Sequence, residues 1–176
     1  MAIKTKLSDE RLREHLIELL NGGSAHVAFG DIVKDMPETL RGVKPQGLPH
    51  SAWMLLEHLR IAQWDILEFS RNARYKAPKW PEEYWPSTAA PPGTAAWNKS
   101  VQQFRKDLRA MQDLVANPRT DLYARIPWGD GQTILREALL LTTTLITSAS
   151  YSTCDGCWVP GTNEDTGPVS WRWKRC

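Results

Sequence analysis

The 176-residue chain is short of long apolar runs, net charge, cysteine and histidine, and each shortage removes a class of function. No apolar run approaches the ~20 residues of a bilayer-spanning helix, so no membrane partner is expected. The net charge is only +2, with basic residues scattered among acids. That is no electrostatic footprint for nucleic acid. Met1-Ala2-Ile3-Lys4-Thr5-Lys6 leads straight into a charged helix without a signal-peptide core, so a cytoplasmic location is expected. Apolar content of 41% and charged content of 24% are globular values, and the length suits one domain.

The three cysteines, Cys154, Cys157 and Cys176, all lie near the C-terminal end. Cys154-Asp155-Gly156-Cys157 has CxxC spacing, which can mark a redox pair or half a zinc site. A redox pair wants a preceding strand and a zinc site wants a second ligand pair; neither context is present. A new metal site built from Cys154, Cys157 and His58 is an alternative.

What is present is helical periodicity. Ser8 can cap a first helix with an apolar stripe of Leu12, Leu16, Leu19 and Leu20, ended by Asn21-Gly22-Gly23. A short helix is expected over Ala25 to Asp35. Ser51 caps the best-defined helix, about Ala52 to Asn72, with Leu55, Leu59, Ala62, Ile66 and Phe69 at helical spacing. Five prolines break Tyr75 to Gly93 into loop. Thr94 caps a helix over about Ala95 to Ala116, whose buried face is Val101, Phe104, Leu108, Met111 and Val115. A short extended piece, Leu122 to Trp128, precedes a last helix from about Gln132. That helix has Ile134, Leu135, Ala138, Leu139 and Leu141 apolar. No segment alternates over strand length, so the fold class is all-α. Residues 1–153 are read as a helical bundle and 154–176 as an irregular tail.

Of the four histidines, His58 stands out. It shares a helical face with Met54, Leu55, Ile61 and Ala62, where an unpartnered imidazole is costly to bury. The bland reading is a boundary histidine bonded to a backbone carbonyl or carboxylate; the sharper one is a metal ligand. Asp65, two turns on, can orient it or face water. His15 and His26 read as surface residues, His50 as local to the loop–helix junction, and Glu57 and Arg60 as solvated.

The run Leu48-Pro49-His50-Ser51-Ala52-Trp53-Met54-Leu55-Leu56-Glu57-His58-Leu59-Arg60-Ile61-Ala62-Gln63 resembles the second bundle helix of the DinB-like (YfiT-related) superfamily. Trp80-Pro81-Glu82-Glu83-Tyr84-Trp85-Pro86 is similar to the loop that follows in one branch. Ile126-Pro127-Trp128-Gly129-Asp130-Gly131-Gln132-Thr133-Ile134-Leu135-Arg136-Glu137-Ala138 resembles the approach to its fourth helix. The resemblance implies a four-helix bundle, often a homodimer, acting on a small-molecule substrate. It also implies a divalent metal, zinc or nickel, on three histidines, one of which matches His58. Some relatives are thiol-dependent transferases or isomerases.

The other two ligands should form His-x-x-x-His on the last helix. The chain reads Thr142-Thr143-Thr144-Leu145-Ile146-Thr147-Ser148-Ala149-Ser150 instead, so Thr143 and Thr147 occupy the ligand positions. Codons for Asp-His-Asn-Ala-Tyr-His-Ile-Gly-Gln, read one base later, can spell this run, which points to a frameshift near codon 141. Threonine hydroxyls replace imidazole poorly toward zinc or nickel, so weak or no metal binding is expected. Two readings remain: an ancestral metalloenzyme with an incomplete site, or a non-catalytic bundle that binds a small molecule or partner.

Overall fold

A computed structural model describes residues 2–22, 28–151, 158–161 and 170–173, with side-chain surroundings for 8–22 and 28–143. Five helices dominate: α1 (Ala2–Asn21), α2 (Phe29–Lys34), α3 (Ala52–Arg71), α4 (Thr94–Ala116) and α5 (Ile134–Tyr151). Short 3₁₀ turns lie at Glu38–Leu40 and Glu82–Tyr84. No helix among the described residues is long and apolar enough to cross a membrane.

The expected boundaries shift where local chemistry decides. α1 begins at Ala2 rather than at a Ser8 cap, because nothing in residues 2–7 breaks a helix. Ser51 does cap α3: its Oγ accepts from Met54 N at 3.2 Å and donates to the Ala89 carbonyl. Thr94 does not cap α4. Gly93 takes that position, and Thr94 Oγ1 instead donates to Glu38 Oε2 at 3.0 Å. α5 runs on through Thr142-Thr143-Thr144 to Tyr151 despite their weak propensity. The hydroxyls of Thr142 and Thr143 bond back to the Leu139 carbonyl at 2.7 and 3.1 Å, which accommodates them within the helix. The tail is not wholly irregular: β1 (Trp158–Gly161) and β2 (Ser170–Trp173) pair antiparallel, Trp158 opposite Trp173. The short helix expected over 25–35 is seen as Phe29–Lys34, and part of that expectation falls outside the described residues.

α3 packs on α4 and α5, and α1 packs on the same two helices. The main core joins all four through Leu16, Leu20, Ile66, Leu67, Met111, Val115, Leu122, Ala138 and Leu141. A second cluster, Trp53, Leu56, Trp97 and Val101, sits toward the start of α3 with Phe29, Val33 and Met36 against it. Two expected core positions are corrected: Leu19 is 51% exposed and Leu139 is 44% exposed.

Arg13, 8% exposed, ties α1 to the end of α4. Its guanidinium donates to the carbonyls of Val115 (2.6 Å), Asn117 (3.0 Å) and Thr120 (2.8 Å), and to Asp9 Oδ2 (2.8 Å). Those carbonyls cluster at a helix C-terminus, where a cation is favoured.

The approach to α5 is a tight loop. Ile126 N donates to Gln132 O at 2.8 Å, and Trp128 Nε1 donates to Phe69 O at 2.7 Å, pinning the loop to α3. Gly131 has φ +108, a conformation open mainly to glycine. At Gly129 a Cβ would lie 2.8 Å from Phe69 Cζ, so the backbone there must come close to α3.

Candidate functional site

The face of α3 bearing Met54, Leu55, His58, Ile61, Ala62 and Asp65 is half-buried, because the loop after α3 returns over it. His58 Nδ1–H donates to the Tyr84 carbonyl at 3.0 Å. A carbonyl can only accept, so Nδ1 carries the proton and Nε2 of the neutral ring carries the lone pair. That bond belongs to both readings of His58. It satisfies a boundary histidine, and it is also how a metal-binding imidazole is oriented.

Trp85 lies flat on His58, with centroids 4.0 Å apart and planes 4° apart. It also stacks on His50 at 4.1 Å and 16°. His50 therefore does belong to the loop–helix junction. Burial lowers its pKa, and the nearby Lys44 ammonium and His58 ring add to the fall. Its Nδ1 is buried without a hydrogen-bond partner.

Asp65 accepts from the Tyr84 hydroxyl at 2.5 Å, while its other oxygen is buried without a partner. It faces the loop rather than open water. Burial raises its pKa despite the hydroxyl, and burial together with Asp65 raises the Tyr84 phenol. From α5 comes Glu137, 3% exposed, bonded to Arg136 at 2.6 Å. Burial raises its carboxyl against the pull of Arg136, and the charge of Asp65 adds to the rise.

On the α4 side, Glu57 and Arg60 are not solvated. Glu57 is 9% exposed and takes both ends of the Arg60 fork at 2.8 Å. Burial alone would raise its carboxyl; hydrogen bonds from Arg60 and Ser100 outweigh it and hold the group below its ordinary value. Asp107, 4% exposed, continues the network by accepting from Gln103 Nε2.

Thr143 is exposed on the side of α5 that carries Arg136, Leu139 and Leu140, and its hydroxyl donates to its own helix. Thr147 lies on α5, with its side chain outside the described residues. Cys154, Cys157, Cys176 and His26 also fall outside them. His15 is a surface residue, 3.6 Å from Glu18.

Among the described residues no three His, Cys, Asp or Glu side chains form a group able to hold a metal ion. A single oriented imidazole does not fit a zinc ion needing three protein donors. Sequence reasoning missed Tyr84, Trp85 and Glu137. Tyr84-Trp85 beside Pro86 was the available signal, an aromatic pair in a stiff loop. The chain matches no protein-family model, no curated protein and no solved structure.

Proposed function

We propose that the chain is a DinB-like four-helix bundle descended from divalent-metal-dependent enzymes, and that it now acts as a non-catalytic binding module. The observation that supports this reading is the mismatch between α3 and α5. α3 presents His58 with its tautomer set by a carbonyl, as a metal-binding histidine requires. α5, the helix packed beside it, carries Thr143 and Thr147 at the two expected ligand positions, and the Thr143 hydroxyl is turned to the Leu139 carbonyl. On this reading one ligand of the ancestral site, His58, is retained without its partners.

The test combines gene and protein. Resequencing across codons 136–162 establishes the frame. The protein is then dialysed against zinc or nickel beside the Thr143→His/Thr147→His double variant. The present chain should retain little metal, and the double variant about one ion per chain. Stoichiometric binding by the present chain that His58→Ala abolishes would overturn the non-catalytic reading. A double variant that stays folded yet gains no metal would sink the DinB-like ancestry of the site.

A further inference from the structure

Tyr84 is held at both ends along one face of α3. Its carbonyl accepts from His58 Nδ1 at 3.0 Å, and its hydroxyl donates to Asp65 Oδ2 at 2.5 Å. Those partners are two helical turns apart, about 10 Å along the axis, so the residue lies lengthwise on the helix. The flanking residues reinforce it. Trp80 meets the Tyr84 ring edge-on at 5.0 Å, and Lys79 N donates to Glu83 Oε2 at 2.6 Å, closing the turn on itself. Trp85 then covers the His58 ring and reaches His50.

We infer that residues 79–86 are a strap that screens the imidazoles of His58 and His50, with the Tyr84–Asp65 hydrogen bond as its latch. Asp65 identifies the latch as the weak point. Its second oxygen is buried with no partner, and the neighbouring α5 group is another carboxyl, Glu137, whose own cation is Arg136. Lifting the strap would hydrate both Asp65 oxygens, so release is opposed chiefly by the two Tyr84 hydrogen bonds and the Trp85 stacking. The strap thereby limits access to the buried Nδ1 of His50, and to the stacked ring and Nδ1 of His58, by any electrophile or cation that seeks an imidazole. This holds whether or not the chain ever binds a metal.

The experiment is histidine modification by diethyl pyrocarbonate at about pH 8, where free imidazoles are neutral, read site by site by peptide mass spectrometry. His15, with a side chain 71% exposed, is the internal reference. In Tyr84→Phe the rates at His58 and His50 should both rise several-fold relative to His15. Asp65→Asn should give a smaller rise, since an amide oxygen still accepts from the hydroxyl, and Asp65→Ala should match Tyr84→Phe. Should Tyr84→Phe fail to fold, Asp65→Ala tests the latch from the helix side. Unchanged His58 and His50 ratios in a folded Tyr84→Phe or Asp65→Ala protein would overturn the strap, as would an equal rise at all three histidines.

Discussion

Protonation of His50, Asp65 and Glu137 pulls stability in opposite directions. Asp65 and Glu137 have raised folded-state pKa values, burial being the first cause for each. Their contribution is complete below the unfolded carboxyl values, about 4, and is lost as pH rises through the folded ones. His50 is lowered, so its contribution is present above the unfolded value, about 6.5, and is lost as pH falls through its folded value. Urea midpoints between about pH 4 and 8 should separate the two. Asp65→Asn flattens the loss on the rising side, and His50→Gln removes the loss on the falling side. Midpoints that both variants shift by the same amount at every pH would contradict these assignments. At this scale His58 was legible, because an imidazole on an apolar helical stripe is conspicuous. A backbone carbonyl was one of the expected partners, but that it is Tyr84's was not legible, because a carbonyl leaves no mark on residue identity. Glu57 read as solvated for a related reason: the Arg60 fork and Ser100 that neutralise its burial come from folded geometry.

Among the elements, α3 was the most legible, since Ser51, the apolar period and the loop beyond it all agree. Its buried side is nevertheless rotated from the expected stripe, with Trp53, Leu56, Gln63 and Leu67 inward. Helices on two sides widen the buried arc, and Gln63 is tolerated there because its Nε2 donates to the Phe104 carbonyl at 2.6 Å. Ser51→Ala should cost about 1–2 kcal/mol, since it removes the α3 cap and the tie to Ala89 together. Arg13→Ala should cost roughly 3 kcal/mol, because three C-terminal carbonyls lose a charged donor at once. Chemical denaturation checks both, and Arg13→Lys should rescue only part, since an ammonium lacks the fork that spans three acceptors. α5 was the least legible. Its threonines favour other conformations, and in the helix the hydroxyls of Thr142 and Thr143 bond back to the Leu139 carbonyl, which no residue pattern announces.

The two apolar clusters share α3 and α4, so the described helices should melt as one unit. Leu67→Ala in the main core and Trp97→Ala in the second cluster should each cost about 3–5 kcal/mol. Both should lower the same single transition seen by far-ultraviolet circular dichroism and tryptophan fluorescence. Two separated transitions in either variant would show that the clusters fold independently. The Arg13 tie also orders events during synthesis. Its farthest carbonyl, on Thr120, lies 107 positions downstream. At roughly 5–20 residues per second, α1 is finished some 5–20 s before the acceptors that dock it exist. For that interval Leu16 and Leu20 lack the α4 and α5 residues that bury them, and the nascent chain carries a bare apolar stripe that chaperones recognise.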